Sequence, residues 1–152
     1  MRFYRSAFAT LLLLLGSVIA HAADDLKIVL LDSNDGHALH RKLVCISFPA
    51  GNPTDPVVEL IRDCHRTDSS GTAAFRLPDP PPEKVNVVLG SDGLVPCYAS
   101  RTLVVAEAMK IGVVAENTCG DADTATTQTG EVVLFAHQMS LWEVLKAKRD
   151  EF

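Results

Sequence analysis

The sequence predicts an all-β protein, an antiparallel β-sandwich of about seven strands followed by a short C-terminal α-helix. Short apolar runs alternate with turn residues at roughly ten-residue spacing, which is typical of sandwiches and barrels. Aromatic residues are few, so valine, leucine and isoleucine must build most of the core, and β-branched residues favour strands. From residue 139 onward the apolar residues change to helical spacing.

Residues 1–22 predict an export signal. Arg2 and Arg5 precede an apolar run that begins at residues 11–15, and Ala20-His21-Ala22 supplies the small residues of a cleavage site. The run is shorter than the ~20 residues that cross a membrane, so we expect no integral membrane span. We expect the mature chain to begin near Ala23 and to be secreted or periplasmic.

The remaining chain predicts one β-sandwich domain, residues 23–138, and a C-terminal helix, residues 139–152. Without Arg2 and Arg5 the chain holds 12 basic residues against 19 acidic ones, a formal charge of −7. Nucleic-acid binding needs a basic footprint, so this balance argues against a nucleic-acid partner.

The strand predictions follow the apolar runs in order. We expect strands at residues 26–32, 42–48, 57–65, 72–77, 85–90, 103–106, 111–115 and 131–137. Turn residues at 33–36 and 50–56 separate the first three strands, and the polar stretch 120–130 predicts a loop. Thr67-Asp68-Ser69-Ser70-Gly71 predicts a hairpin turn between the third and fourth strands.

The C-terminal segment predicts its own helix start. Ser140 and Glu143 form a capping box, and basic residues crowd the last turn. The apolar stripe of this helix either docks on the sandwich of its own chain or meets a partner or membrane surface. The candidate interaction residues are Leu141, Trp142, Val144 and Leu145.

The four cysteines all follow the predicted cleavage site. An even number in an exported chain predicts disulfides, and no C-x-x-C pair points to zinc or redox chemistry. Three connectivities are possible. We favour the sequential pairs, Cys45 with Cys64 and Cys97 with Cys119, because each joins neighbouring strands or their loops.

The segment Thr67-Asp68-Ser69-Ser70-Gly71-Thr72-Ala73-Ala74-Phe75-Arg76-Leu77-Pro78, preceded by two strands and a turn containing Asp-Gly, resembles the carboxypeptidase regulatory-like domains. The resemblance covers about residues 26–89 and implies an Ig-like or prealbumin-like (transthyretin-like) sandwich. It further implies a non-catalytic module. The four cysteines and the lack of a later glycine-tyrosine stretch depart from that family's pattern.

One turn holds residue types that bind metals: Asp32, Asn34, Asp35, His37 and His40. Their spacing misses a calcium loop by one residue, and the two histidines lack a helix to align them. We therefore expect a plain turn, no metal and no cofactor. His65 and His137 are interpreted as ordinary strand residues.

No catalytic residues are predicted. Ser69 and Ser70 lack a nucleophile elbow. Two enzyme families share a related sandwich, but Tyr98 is the one tyrosine after residue 22, where intradiol dioxygenases need two. The C-terminus also lacks the Tyr-Arg-Gly-Ser ending of hydroxyisourate hydrolases.

Three functional hypotheses remain. The first is an exported, non-catalytic module with a structural or protein-interaction role and a protein partner of unknown identity. The second is a carbohydrate or small-ligand binding domain, for which Tyr98 and Trp142 are the available aromatic platforms. The third is a small metal-dependent hydrolase built on the turn between Asp32 and His40.

Overall fold

The computed structural model describes residues 25–50, 59–90, 93–122 and 125–140, together with 142, 143, 146 and 149. The predicted export signal and most of the predicted break at 50–56 lie outside the described residues. The described elements, in chain order, are β1 (Asp25–Asp32), β2 (Leu43–Ala50), β3 (Glu59–Arg66), β4 (Thr72–Arg76), β5 (Lys84–Leu89), β6 (Leu94–Pro96), β7 (Thr102–Val104), α1 (Val105–Ile111), β8 (Val113–Val114) and β9 (Glu131–Gln138).

The strands form two sheets, which confirms the predicted all-β sandwich. The first sheet has the order β4-β1-β9-β6 with β8 also paired to β9, and the second has the order β3-β2-β5-β7. The described strands number nine rather than about seven, and the one that the apolar runs do not predict is β6, which is only three residues long. β7 and β8, of three and two residues, overlap the runs at 103–106 and 111–115. The first sheet is also not purely antiparallel, since β9 runs parallel to both β1 and β8.

The core lies between the sheets and follows the alternation of the strands. Leu26, Ile28 and Leu30 of β1 are fully buried, whereas the residues between them are more exposed. Phe75 of β4 is directly opposite Leu26 and is also fully buried. The second sheet contributes the same alternation from its own strands: Val44, Ile46, Phe48, Val85 and Val87.

Strand β9 is buried on both faces along residues 132–136. Val132 and Leu134 join the core between the sheets, while Val133 and Phe135 form a second apolar cluster with Cys97. Ala122 and Ala125, from the stretch predicted to be a loop, pack on this second cluster. The described residues of that loop form no helix or strand, and through these two alanines the loop covers part of the outer face of the first sheet.

The predicted hairpin at Thr67–Gly71 is wrong in its pairing, although the turn itself is present. Strand β3 pairs with β2 in one sheet, and β4 pairs with β1 in the other, so the turn carries the chain across the sandwich. Thr67 is buried, donates a hydrogen bond to the Leu39 carbonyl at 2.6 Å and accepts one from the Lys42 N–H at 2.9 Å. A buried residue with these contacts fits a crossing better than an exposed hairpin tip.

The predicted strand at 103–106 is wrong beyond Val104, where helix α1 begins. Val105 and Ala108 are buried at helical spacing, and Glu107 and Lys110 suit the ends of the helix dipole. Gly112 ends the helix with φ of +74° and donates to the Ala108 carbonyl. The predicted strand at 111–115 is confirmed only for the two residues of β8. None of the described helices is long and apolar enough to cross a membrane.

Candidate interaction site

The terminal cluster, defined here as Asn34, His137, Ser140, Trp142 and Glu143, lies where β1 and β9 end. Because these strands are parallel neighbours, their C-terminal ends lie side by side at the same end of the first sheet. The Ser33 N–H donates to the Ala136 carbonyl at 3.0 Å and fixes the turn after β1 beside the end of β9.

A chain of side-chain hydrogen bonds crosses this junction. Asn34 Nδ2 lies 3.2 Å from His137 Nδ1, and His137 Nε2 lies 3.4 Å from Glu143 Oε1. An amide nitrogen can only donate, so the Asn34 contact is a hydrogen bond in the tautomer in which Nδ1 accepts, and in that tautomer Nε2–H donates to Glu143. His137 reads in the sequence as an ordinary strand residue, because nothing in the sequence signals the parallel pairing that brings Asn34 to it.

The predicted capping box is present, with both of its reciprocal hydrogen bonds between Ser140 and Glu143. The Ser140 N–H donates to Glu143 Oε2 at 2.6 Å, and the Glu143 N–H donates to Ser140 Oγ at 3.3 Å. The Ser140 backbone N–H, its hydroxyl group and His137 together hold the pKa of Glu143 below its ordinary value. Met139 N–H also donates to the Gly93 carbonyl at 2.8 Å, so this turn is tied to the first sheet from two sides.

The described residues beyond Ser140, which are 142, 143, 146 and 149, are helical, and the Trp142 side chain is exposed to solvent next to the capping box. Its exposed fraction is 81%, the highest among the exposed large hydrophobic residues described. The bond from Glu143 to His137 attaches the start of the segment to its own sandwich, but the indole ring does not pack there. The other predicted interaction residues, Leu141, Val144 and Leu145, lie outside the described residues.

Both predicted disulfides are present. Cys45 and Cys64 are directly opposite each other on β2 and β3, with Cα atoms 4.0 Å apart. Cys97, which follows β6, bonds to Cys119 in the loop that covers the outer face of the first sheet. Asn117 supports that loop by donating to the Ser33 carbonyl at 2.7 Å.

The candidate metal turn uses its carboxylates to close the turn. Asp32 Oδ1 accepts from the Asn34 N–H, and Asp35 Oδ1 accepts from the His37 N–H, each at 2.9 Å. The His37 N–H, followed by its ring, lowers the pKa of Asp35. His40 is exposed, and within the described ranges no group of three or more histidine, cysteine, aspartate or glutamate residues is placed to hold a metal ion. His65, the other histidine taken as a strand residue, packs edge-on against Phe75 at 5.0 Å.

Tyr98, one of the two aromatic platforms considered for sugar binding, is buried. Its exposed fraction is 7%, and burial raises the pKa of its hydroxyl group. A ring in this position offers no face to a carbohydrate. Two shallow concavities occur elsewhere, one of about 450 Å³ between Phe48, Ile61 and the proline run 78–82, and one of about 230 Å³ beside β7.

Comparison with known proteins found no matching family model, no matching curated protein and no matching solved structure.

Proposed function

We propose that this chain is an exported, non-catalytic β-sandwich module that binds a partner protein through Trp142. The observation that carries the proposal is the 81% exposure of Trp142 between Ser140 and Glu143, which are hydrogen-bonded to each other. Tryptophan is among the residues that contribute most to protein interfaces, because its large ring buries much apolar area with few rotatable bonds.

The anchoring of the turn supports this role. Two hydrogen bonds close the capping box around Trp142, and the Glu143 carboxylate also reaches His137 on β9. Backbone order that exists before binding does not have to be gained on binding, which favours affinity. The polar cluster beside the ring also resembles the mixed polar surroundings of an interface anchor.

Export is supported by the two disulfides and by the predicted signal at residues 1–22. Disulfides persist in oxidising compartments such as the periplasm or the extracellular space. The acidic charge outside the predicted signal disfavours nucleic acid as the partner. Membership of the carboxypeptidase regulatory-like family, which implies a non-catalytic role, stays a prediction that rests on the turn sequence at 67–78.

The experiment is a quantitative pull-down from the exported fraction of the source organism. The chain is produced with its first 22 residues intact and an affinity tag inserted after Ala23, and bound proteins are quantified by mass spectrometry. The comparison is between the unaltered chain, Trp142→Ala and a version that ends before Ser140. We expect one partner to be retained by the unaltered chain and reduced about tenfold or more by the other two.

Leu60→Ala is the matched control. Leu60 is 63% exposed on β3 of the second sheet, so its replacement removes exposed apolar area away from Trp142. We expect this variant to retain the partner. Recovery of no specific partner, or equal recovery with Trp142→Ala, would contradict the proposed function.

A further inference from the structure

Each of the two disulfides joins a buried cysteine to an exposed one. In the first, Cys45 is buried with an exposed fraction of 1%, and Cys64 is an exposed residue on β3. In the second, Cys97 is fully buried and Cys119 is exposed. An external thiol can therefore approach each bond only from its exposed cysteine, and the buried cysteine must be the leaving group.

The two bonds differ in what lies beside the buried sulfur. The guanidinium Nη2 of Arg62 lies 3.6 Å from Cys45 Sγ. Cys97 Sγ instead lies 3.5 Å from the Val95 carbonyl oxygen and packs with Val133 and Phe135. A fixed cation stabilises a thiolate, whereas apolar burial and a carbonyl oxygen destabilise one.

We propose that the Cys45–Cys64 disulfide is a thiol-exchange site, opened at Cys64 by an external dithiol, with Arg62 stabilising the departing Cys45 thiolate. In the first step, a thiolate of the dithiol bonds to Cys64 Sγ while the Cys45–Cys64 bond breaks and its electron pair leaves on Cys45 Sγ. In the second step, the other thiol of the dithiol attacks the mixed disulfide and releases Cys64. The dithiol is oxidised by two electrons, and its two protons end on Cys45 and Cys64.

The exchange acts on an edge strand. Among the described strands β3 pairs only with β2, and the disulfide is its covalent tie to that neighbour. The 4.0 Å between the Cys45 and Cys64 Cα atoms is the short spacing of a non-hydrogen-bonded pair, so the backbone N–H and C=O of Cys64 point to the open edge. Reduction therefore removes the covalent link from the strand whose backbone is available to another chain.

The test measures reduction of each bond separately. The folded, fully oxidised chain is exposed to dithiothreitol for increasing times, free thiols are blocked with N-ethylmaleimide, and each bond is quantified by mass spectrometry of digests. We expect the Cys45–Cys64 bond to open about tenfold faster than the Cys97–Cys119 bond. With glutathione as a monothiol, we expect the mixed disulfide on Cys64.

Variants of Arg62 distinguish the effect of its positive charge on the rate of disulfide opening from the effect of solvent access to Cys64. We expect Arg62→Gln to slow opening of the Cys45–Cys64 bond about threefold and Arg62→Lys to slow it less. Arg76→Gln, which removes an exposed cation from the first sheet, should leave both rates unchanged. Circular dichroism confirms that each variant is folded before its rates are compared. Equal rates for the two bonds, no effect of Arg62→Gln, or an adduct on Cys45 would overturn the proposal.

Discussion

Gly71 shows how one residue determines the path of the chain between the sheets. Its φ is +76°, in the left-handed region, and a Cβ at this position would lie 2.7 Å from the Leu30 carbonyl oxygen. Its own carbonyl accepts from the Leu30 N–H at 2.8 Å, so the backbone cannot move away without breaking that bond. Only glycine fits both constraints.

We therefore expect Gly71→Ala to destabilise the fold by about 2 kcal/mol or more. Gly93→Ala is the matched control, because Gly93 also has a positive φ of +71° but has no neighbouring atom within 4 Å of its added Cβ. We expect it to cost about 1 kcal/mol, the conformational strain alone. Urea unfolding measures both, and equal costs would contradict the steric role of Leu30.

Asp68, in the same turn, makes the stability of the fold depend on pH. Its Oδ1 accepts from the Ser70 hydroxyl group and from the N–H groups of Ser70 and Thr72, at 2.7 to 2.9 Å. These bonds, the Ser70 hydroxyl first, lower its pKa below the ordinary 3.8. A lowered pKa in the folded state means that the carboxylate stabilises the fold above pH 3.8 and loses this effect as the pH falls below that value.

We expect Asp68→Asn to be less stable than the unaltered chain at pH 7 and to lose less stability between pH 5 and pH 2.5. The asparagine oxygen can still accept hydrogen bonds, but it does not titrate. Urea midpoints across this range provide the measurement. An acid slope equal to that of the unaltered chain would show that Asp68 does not titrate as described.

At the scale of elements, the capping box is a local signal that the sequence and the structure both contain. Because Ser140 and Glu143 bond each other through backbone and side chain, the motif needs no distant partner. We expect Ser140→Ala to increase amide hydrogen exchange at Glu143 roughly fivefold, and Ser140→Thr, which keeps the oxygen, to change it little. Unchanged exchange in Ser140→Ala would contradict the role of the hydroxyl group.

The accuracy of the strand predictions depended on the length of the strand and on its surroundings. β1, β2, β5 and β9 were predictable because their alternating or continuous apolar residues match one or two buried faces. β6 has only three residues, and the first two of the seven residues of α1 read as strand because Val105 extends the apolar run of β7. Alternation also does not say which sheet a strand joins, so the crossing at Thr67–Gly71 was mistaken for a hairpin.

The candidate site was predictable only in its local part. The exposed aromatic residue and the capping box follow from residues 140–143 alone. The contact between Asn34 and His137 joins residues 103 positions apart, and it depends on the parallel pairing of β1 with β9. Such pairing is set by the packing of the whole sandwich, which the sequence pattern does not specify.

In the molecule as a whole, both disulfides cross-link the chain, but only the Cys97–Cys119 disulfide also holds a loop over an apolar cluster. Each closes a loop of similar length, since the paired cysteines are separated by 19 and 22 positions in the sequence, and the chain-entropy model gives about 3 kcal/mol for each. Cys97 also belongs to the apolar cluster with Val133 and Phe135. Its bond to Cys119 holds the loop that shields this cluster from water.

We therefore expect the double variant Cys97→Ala, Cys119→Ala to destabilise the fold more than Cys45→Ala, Cys64→Ala, by about 1 kcal/mol or more. The reason is the loss of cover over β9 in addition to the loss of the cross-link. Free energies of unfolding in urea provide the comparison. Equal destabilisation would mean that the loop contributes nothing beyond its covalent closure.

The proposed contact between Trp142 and a partner protein can be detected by site-specific photo-crosslinking in the producing cells. A photoreactive benzophenone side chain replaces Trp142 in one variant and Leu60 in a matched variant, since both positions are exposed. We expect a defined cross-linked protein at position 142, absent at position 60 and absent without irradiation. No adduct at position 142, or the same adducts at both positions, would contradict the proposed contact of Trp142 with a partner.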